Sequence, residues 1–355
     1  MQNRERKKFF LPLWAVVVLD ALALGTALVV FALFHHVLPR SVSPAQTVRP
    51  VSATPALVWT PSATAAPTPV LEAAGDLPEN TPEPDTRSPW AIQFESHFTE
   101  DTVITENSYS SPNVAVEVSR LELRHGDRLN VCYVADIYIA DIRSFRSYLP
   151  QDEEGYGMRL EMGEMARQSD AIAAMTGDMY AFQGASLVLR NGELYRDGRW
   201  QTYQTHCALF YDGTMAVYGP DEIDYEAAMA DGAWQIWSFG PVLVRDGKPS
   251  GDYGSGMAVD DPNPRAALGY YEPGHYCFVV VDGRRPNYSF GMTFEELAEL
   301  FVDLGCECAY NLDGGGSAVM MLNGQEVNIP SGGGRELSDI ILIAEPPAEE
   351  SEAVK

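Results

Sequence analysis

Leu187-Val188-Leu189-Arg190-Asn191-Gly192-Glu193-Leu194-Tyr195 contains the pattern that decides the fold class. Its Asn-Gly pair separates two short apolar runs, and both residues of such a tight hairpin turn need a positive φ, which these residue types tolerate. The same arrangement, with Asn-Gly or Asp-Gly at the turn, recurs in 208–218, 241–247 and 319–327. The sequence therefore predicts a domain built largely from short paired strands.

Helices are expected to be fewer than strands. Thr293-Phe294-Glu295-Glu296 fits a capping box, in which the threonine caps the helix and the last glutamate returns a hydrogen bond to it. Apolar residues follow at helical spacing until Gly305, which is expected to end the helix. Two shorter helices are predicted over 160–169 and 225–230. The predicted fold class is α+β, a strand-rich mixed or antiparallel sheet domain with a few covering helices.

The residues before position 90 are expected to lie outside the folded domain. A basic segment, 1–8, precedes an apolar run over 9–38 that exceeds the roughly 20 residues of a spanning helix. Because basic residues favour the cytoplasmic side, 9–38 predicts a transmembrane signal anchor with the rest of the chain extracytoplasmic. A cleaved signal peptide is the alternative. The segment 39–89 is rich in Pro, Thr and Ala, a composition that predicts a disordered stalk. The catalytic domain is expected over 90–344, and a disordered acidic tail over 345–355.

Composition limits the partners that the protein can bind. The formal net charge is -26, with 24 Lys and Arg against 50 Asp and Glu. Such a surface repels nucleic-acid phosphates, so nucleic-acid binding is excluded. An anionic substrate requires arginines focused on one site, where salt screens the distant acidic charges within about 8 Å.

The five cysteines lack any CxxC pair with metal-ligand spacing. We expect buried free thiols that pack as small apolar residues, although disulfides persist in an extracytoplasmic compartment. The residues concerned are Cys132, Cys207, Cys277, Cys306 and Cys308.

Asn311-Leu312-Asp313-Gly314-Gly315-Gly316-Ser317 is the stretch most indicative of chemistry. Three consecutive glycines between two strands have no packing value, but they allow positive φ angles and a close approach to a ligand. Successive N–H groups in such a turn can form a nest for an anion. Asp313 would lie at the mouth of this turn, and a tight connection without function is the alternative.

Four other stretches place a carboxylate or a guanidinium beside a strand end. They are Thr176-Gly177-Asp178-Met179-Tyr180, Pro264-Arg265, Val281-Asp282-Gly283-Arg284, and the glycine-rich loop 331–335 that ends in Arg335. The planar guanidinium fork suits phosphate, and carboxylates assist glycoside cleavage. Plain turns and surface ion pairs are the alternatives.

In this order, these stretches resemble the phosphodiester glycosidase family. The domain of this family is similar to that of N-acetylglucosamine-1-phosphodiester alpha-N-acetylglucosaminidase. The resemblance also rests on Gly240-Pro241-Val242-Leu243, Gly291-Met292-Thr293 and Asn328-Ile329-Pro330. It implies a hydrolase that cleaves the bond between a sugar anomeric carbon and a phosphodiester, on envelope or exopolysaccharide glycans. The family often has Asn where this chain has Thr176, which keeps a hydroxyl but lacks the amide.

The resemblance implies that the predicted site residues surround one cleft. The implied catalytic residues are Asp313, Asp282 and Asp178, with Asp313 as the assisting carboxylate. The implied substrate- and phosphate-binding residues are Arg265, Arg284, Arg335, Thr176, Asn311, Gly314, Gly315, Gly316 and Ser317. No cofactor is expected; a divalent cation stays an open alternative, although no spacing matches a calcium loop.

Two other functions compete with the hydrolase. The first is a non-catalytic domain that binds phosphate-linked cell-surface polysaccharide. The second is a structural stalk protein with an incidental glycine-rich loop, which would require the Asp and Arg residues to be scattered.

Overall fold

The computed structural model describes residues 87–152, 155–182, 186–198, 204–253 and 260–348. Within them the α helices are α1 (Pro89–Gln93), α2 (Met162–Gln168), α3 (Tyr225–Ala230) and α4 (Phe294–Asp303). Short 3-10 turns occupy Glu95–His97, Ile142–Ser144, Tyr180–Phe182, Gly315–Ser317 and Ser331–Gly333. The strands are β1 (Val103–Ile104), β2 (Ser108–Ser110), β3 (Val114–His125), β4 (Arg128–Ile139), β5 (Phe145–Tyr148), β6 (Gln151–Asp152), β7 (Gly155–Tyr156), β8 (Ala173–Thr176), β9 (Leu187–Arg190), β10 (Glu193–Asp197), β11 (His206–Phe210), β12 (Met215–Tyr218), β13 (Ala233–Trp237), β14 (Val242–Arg245), β15 (Lys248–Pro249), β16 (Arg265–Glu272), β17 (His275–Val281), β18 (Cys308–Asn311), β19 (Met320–Leu322), β20 (Gln325–Glu326) and β21 (Ile340–Ile343).

A nine-stranded sheet with the order β1-β2-β3-β4-β17-β16-β18-β14-β15 is the largest element of this part of the chain. Two five-stranded sheets accompany it, with the orders β10-β9-β13-β11-β12 and β20-β19-β8-β21-β5. Strands β6 and β7 form a separate antiparallel pair. The strand-rich α+β class predicted from the sequence is confirmed.

The hairpins and helices follow the sequence predictions closely. Each predicted turn joins an antiparallel pair, namely β9 with β10, β11 with β12, β14 with β15 and β19 with β20. The turn residues Asn191 and Gly192 have φ values of 53° and 76°, which is why the Asn-Gly pair is suited to the turn. Thr293 caps α4 in the predicted capping box, and Gly305 follows the helix with φ 88°.

The hydrophobic core lies between the nine-stranded sheet and the two smaller sheets. Val116, Ile137 and Phe278 from the large sheet share one cluster with Trp237 and Ile341 from the smaller ones. On the opposite face of the large sheet, the apolar side of α4 packs over β14, β16 and β17. The large sheet is therefore covered by apolar layers on both faces.

The apolar side chains of strand β21 point alternately into two different hydrophobic clusters. Ile341 and Ile343 face the central cluster, whereas Ile340 and Leu342 face a second cluster with Met165 of α2. Successive strand residues point to opposite faces, so one apolar strand can serve two cores.

The predicted transmembrane anchor 9–38, the basic segment 1–8, nearly all of the stalk 39–89, and most of the tail 345–355 lie outside the described residues. None of the helices that the structure describes has both the length and the apolar character needed to cross a membrane. The anchor therefore stays a prediction from the sequence.

The expectation that the cysteines are buried is confirmed. All five cysteines are buried and none is joined in a disulfide in this structure.

Candidate active site

The site forms where strand ends from two sheets meet. In the nine-stranded sheet, the start of β16 lies beside the ends of β17 and β18, because Arg265 pairs with Val281 and Ala267 pairs with Asn311. In the smaller sheet, the end of β8 lies beside the start of β21, where Thr176 pairs with Ile340. These strand ends bring distant parts of the sequence to one edge.

Two hydrogen bonds join those edges directly. The backbone N–H of Asp313 donates to the carbonyl oxygen of Gly177 at 3.1 Å. The hydroxyl of Thr176 donates to the carbonyl oxygen of Ser317. The turn that follows β18 is therefore tied to the end of β8, and Thr176 uses its hydroxyl to hold the turn.

Asp313 and Arg335 form the exposed part of this site. The guanidinium Nη2 of Arg335 lies 3.4 Å from Oδ2 of Asp313, and its Nε donates to the hydroxyl oxygen of Ser317. The side chain of Asp313 is 14% exposed and that of Arg335 is 54% exposed. Burial raises the pKa of Asp313 above its usual range, while Ser317 and Arg335 oppose this rise.

Two of the three glycines, Gly314 and Gly315, pack closely against their surroundings. A Cβ on Gly314 would lie 2.7 Å from the carbonyl oxygen of Pro264, and a Cβ on Gly315 would lie 3.1 Å from Nη2 of Arg284. Gly315 also has φ 62°, a conformation that side chains disfavour. The turn therefore needs glycine at both positions. Gly314 leaves room for the backbone of Pro264, and Gly315 leaves room for the guanidinium of Arg284.

Arg284 lies over this turn with its backbone in the left-handed region. Its φ is 59°, and its Nε and Nη2 donate to the side-chain oxygen of Asn263 at 3.1 and 3.0 Å. A non-glycine residue in this region is uncommon, and such residues cluster at functional sites. The exposed guanidinium of Arg284 adds a second positive charge beside the glycine turn.

Asp178 lies under the turn rather than at its mouth. Its Oδ2 accepts hydrogen bonds from Nη2 of Arg190 at 2.7 Å and from the N–H of Ser238 at 3.0 Å. Arg190 also donates to Oδ2 of Asp339 through Nε and Nη2, at 3.1 and 3.0 Å. The side chains of all three charged residues are fully buried. Asp178 thus belongs to an interior ion-pair network with no open face.

Asp282 is also engaged in the interior. It is 1% exposed and accepts hydrogen bonds from the amide of Asn328, the N–H of Ile329 and the hydroxyl of Tyr288. Asn328 in turn donates to the carbonyl oxygen of Ala318, immediately after the glycine turn. Asp282 therefore positions the loop that begins at residue 328.

Arg265 and Asn311 flank the turn without reaching its mouth. The guanidinium of Arg265 stacks over the ring of Phe294 at 3.8 Å and donates to the carbonyl oxygens of Met292 and Asp261. Burial lowers the pKa of Arg265 to about 10. The amide of Asn311 donates to the carbonyl oxygen of Gly240 at 2.7 Å, and its Oδ1 is buried with no hydrogen-bond partner among the residues that the structure describes.

The structure thus brings some of the predicted site residues together around the turn and places the others in the interior. Around the turn it gathers Asp313, Arg335, Ser317, Thr176, Arg284 and the three glycines. Asp178, Asp282, Asn311 and Arg265 lie in the interior beside it. The meeting of three carboxylates with three guanidinium groups in one open pocket, as predicted, is not what the contacts show.

Residues 169–344 match the phosphodiester glycosidase family model. Over these residues the chain belongs to the phosphodiester glycosidase family. The matched range contains all of the site residues named above, and it begins after the long β3–β4 hairpin of the nine-stranded sheet.

Two relatives of this phosphodiester glycosidase domain bear on its fold. The SPbeta prophage-derived uncharacterized protein YomE of Bacillus subtilis (strain 168) is 32% identical over 188 residues, which are 51% of this chain and 29% of that protein. The chain therefore spans under a third of the length of this relative. The zebrafish N-acetylglucosamine-1-phosphodiester alpha-N-acetylglucosaminidase catalytic domain, auto-inhibited by its pro-peptide, superposes with a TM-score of 0.56 and 22% identity, covering 69% of this chain and 88% of that one. At this identity the second likeness shows the fold alone.

Sequence reasoning missed two charged residues of the phosphodiester glycosidase domain. The sequence patterns assign no role to Arg190, which lies next to the Asn191-Gly192 turn, or to Asp339. A signal existed for both, because an arginine inside a buried strand needs a buried carboxylate partner. Burial raises the pKa of Asp339 well above its usual range, and the charge of Asp178 adds to this effect.

Within the described ranges, no group of three or more His, Cys, Asp or Glu side chains is arranged to hold a metal ion.

Proposed function

We propose that this protein is a membrane-anchored extracytoplasmic hydrolase that cleaves the bond between a sugar anomeric carbon and a phosphodiester. Its substrates would be sugar-1-phosphodiesters of envelope or exopolysaccharide glycans, with N-acetylglucosamine as one candidate sugar. The family membership of residues 169–344 supports this reaction class. The apolar run over 9–38 supports the anchoring.

One observation carries the proposal: Asp313 and Arg335 lie 3.4 Å apart at the glycine turn. A carboxylate and a guanidinium side by side can act on the two halves of one scissile bond. The carboxylate faces the anomeric carbon and the attacking water, while the guanidinium neutralises the leaving phosphate.

The division of roles follows from the leaving group. A phosphodiester is already a good leaving group, so protonation of the departing oxygen matters less than in ordinary glycoside hydrolysis. Positive charge at the phosphate matters more, and Arg335 and Arg284 are the arginines beside the turn. Asp313 would then accept the proton of the attacking water as a general base.

The burial of Asp313 suits this role. A general base works best when its pKa lies near the operating pH, and burial raises the pKa of Asp313 from the usual aspartate value. The charge of Arg335 opposes this rise in pKa because it favours the ionised carboxylate.

A local pair of arginines also resolves the conflict between an anionic substrate and an acidic protein. The chain carries a net charge of -26, but charges more than about 8 Å away are largely screened at physiological salt. The substrate phosphate would respond chiefly to the guanidinium groups at the turn.

The test is an assay of the purified full-length protein in detergent against a panel of sugar-1-phosphodiesters, with and without chelator. The wild type should release free sugar, and Asp313→Asn should lower kcat by about 10²- to 10⁴-fold, the usual contribution of a general base. Asp303→Asn, an exposed carboxylate on α4, is the matched control and should behave as wild type. Full activity in Asp313→Asn would remove this carboxylate from the mechanism.

A second function is favoured by one observation. Asp178 and Asp282 are engaged in the interior, so Asp313 alone of the three predicted carboxylates borders the open site. Glycosidases generally use two carboxyl groups. A non-catalytic domain that binds phosphate-linked polysaccharide would need none. Saturable, salt-sensitive binding of such a polymer without sugar release from any panel member would favour this alternative.

A further inference from the structure

Two buried thiols lie in contact on the face of the nine-stranded sheet that α4 covers. The sulfur atoms of Cys277 and Cys306 are 3.8 Å apart, and the two residues are 29 positions apart in the sequence. Their side chains belong to the same apolar cluster, with exposures of 0% and 1%. The proposed glycosidase reaction uses neither residue.

Gly269 is the reason that the two sulfurs can approach each other. It lies directly opposite Cys277 in the β16–β17 pairing. A Cβ at Gly269 would lie 2.6 Å from Sγ of Cys277, 2.8 Å from Sγ of Cys306 and 2.7 Å from a ring carbon of Phe301. The sulfurs therefore fill the space that a larger residue in β16 would occupy. A glycine inside a strand often marks such a close approach.

The backbone around Cys306 favours movement of its side chain more than that around Cys277. Cys277 is in the middle of β17, which pairs with β4 on one side and β16 on the other. Cys306 follows Gly305 in the connection between α4 and β18, and its N–H donates to the carbonyl oxygen of Phe301 at 3.0 Å. The sulfur of Cys306 is thus the one that can turn toward its partner.

We propose that Cys277 and Cys306 are the site of an intrachain disulfide, formed when the chain folds in the presence of a disulfide oxidant. A disulfide such as oxidised glutathione, or an oxidised dithiol protein, accepts the two electrons. One cysteine thiolate attacks the oxidant and releases one of its thiols; the second cysteine attacks the mixed disulfide and releases the other. The two protons leave to solvent or to the released thiols. The sulfur separation shortens from 3.8 Å to the bonded value of about 2.05 Å.

The chemistry of the site determines when the bond forms. The thiolate is the nucleophile in exchange, and burial raises the pKa of the Cys277 thiol well above its usual value. Cys306, Tyr271 and Asp136 are the groups whose charges or hydrogen bonds also act on this thiol. Exchange in the folded protein is therefore slow, so the bond forms during folding and then resists reduction.

The other thiols face different surroundings. The sulfur of Cys132 approaches the carbonyl oxygen of Leu121 at 4.0 Å, and that of Cys308 approaches the carbonyl oxygen of Met215 at 3.7 Å. Cys207 and Cys308 are close enough to influence each other electrostatically, so a bond between them is the competing outcome.

The cross-link would close a segment that contains both a site loop and a covering helix. Asp282, Arg284 and α4 all lie between Cys277 and Cys306 in the sequence. A bond across this segment would hold the end of α4 against the centre of the sheet. It would also reduce the conformational freedom of the unfolded chain, which stabilises the folded state.

The experiment uses the full chain, refolded in a buffer of reduced and oxidised glutathione and then alkylated under denaturing conditions without reductant. Mass analysis should find three of the five thiols alkylated, and peptide mapping should find residues 277 and 306 cross-linked. Cys306→Ser should leave all four remaining thiols alkylated, whereas Cys132→Ser should keep the cross-link. Five alkylated thiols in the wild type, or a cross-link between 207 and 308, would overturn the proposal.

A second measurement does not depend on the folding of a variant. The melting temperature of the oxidised wild type should exceed that of the same protein, reduced after unfolding and refolded with dithiothreitol, by about 5–10 °C. Equal melting temperatures of the two forms would also contradict the proposal. Failure of the glycosidase assay has no bearing on either result, because the thiols lie outside the site.

Discussion

The guanidinium of Arg335 lies 3.4 Å from the carboxylate of Asp313 and is the more exposed of the two side chains. The charge of Asp313 is therefore balanced from the solvent side, where a substrate would approach, rather than from the interior. A phosphate entering the site would meet the guanidinium before it met the carboxylate. This arrangement makes Arg335 the residue whose removal should affect both substrate binding and the ionisation of Asp313.

Replacement of Arg335 should lower activity and shift its pH dependence. Arg335→Met removes a charge that favours ionised Asp313, so the pKa of Asp313 should rise further. If Asp313 is the general base, kcat/KM falls as the pH drops through this pKa, and the acid limb should move to higher pH. We expect kcat/KM on the active sugar-1-phosphodiester to fall about 10- to 100-fold at neutral pH, the order of one lost charge-assisted contact.

The control for this variant is Arg245→Met, which removes an exposed arginine paired with Glu222. It should leave both kcat/KM and the acid limb unchanged. An acid limb that stays in place in Arg335→Met would argue against electrostatic coupling between Arg335 and the group that titrates.

The three glycines of the turn should differ in their tolerance of alanine. Gly314→Ala should destabilise the fold, because its Cβ would meet the carbonyl oxygen of Pro264 at 2.7 Å. Gly315→Ala should cost about 1–2 kcal/mol through its positive φ and should displace Arg284. Gly316→Ala should be mild, since its nearest neighbour would lie at an ordinary 3.5 Å. Thermal melts and kcat/KM of the three variants provide the comparison, and equal effects at 315 and 316 would refute the assigned packing.

The buried ion pairs predict a large difference between two arginine variants. Arg190→Met would leave the carboxylates of Asp178 and Asp339 buried without their cation, which should lower the free energy of unfolding by about 3–5 kcal/mol. Arg167→Met removes an exposed pair with Glu164, which solvent screens, and should change that free energy little. Urea denaturation of both variants and of the wild type measures these changes in the free energy of unfolding.

Asp339→Asn should be tolerated better than Arg190→Met. Burial and the charge of Asp178 raise the pKa of Asp339, which makes its ionised form costlier than that of an exposed aspartate, and asparagine has nearly the same shape as a carboxyl group. A loss of stability in Asp339→Asn as large as that in Arg190→Met would show that the ionised form of Asp339 is required.

The folding stability should fall with decreasing pH because of His206. Burial lowers the pKa of His206 to about 4, so between the usual histidine value of 6.5 and about 4 the unfolded chain binds a proton that the folded protein does not. This contribution is complete above pH 6.5 and is lost as the pH falls toward 4, by about 3 kcal/mol in total.

His206→Asn is the variant that isolates this effect. Nδ1 of His206 and the hydroxyl of Ser238 share a hydrogen bond at 2.9 Å, and asparagine can make a similar hydrogen bond but does not titrate. The raised pKa values of Asp313 and Asp339 act in the opposite direction, and they are present in both proteins. The unfolding free energy of the wild type minus that of the variant should therefore decrease as the pH falls from 7 to 4. A constant difference would contradict the prediction.

The strand pairings closest in sequence were predictable, because turn residues and apolar alternation act over a few positions. The Asn191-Gly192 hairpin and the capping box at Thr293 follow from local rules alone. The order of the strands in the sheets was not predictable, since it depends on contacts between distant segments. No local rule places β16 between β17 and β18.

The sequence predicted which residues belong to the site but not how deeply each of them is buried. The sequence indicates that Asp178, Asp282 and Asp313 each follow a strand, which is correct. It does not indicate which carboxylates are engaged in the interior, because that depends on Arg190, which donates to Asp178, and on Asn328, which donates to Asp282. Exposure of Asp313 and burial of the other two are consequences of tertiary packing.

Arg335 is carried by a loop with three consecutive glycines at 332–334, whose φ values are 74°, 84° and 84°. The loop has few side chains of its own, so its length and path can change without disturbing the packed interior. Asp313, by contrast, is tied to two sheets through the backbone of Gly177 and the end of β18. Selection on substrate range could therefore act by lengthening, shortening or stiffening this glycine segment, which would reposition the cation while the carboxylate stays where it is.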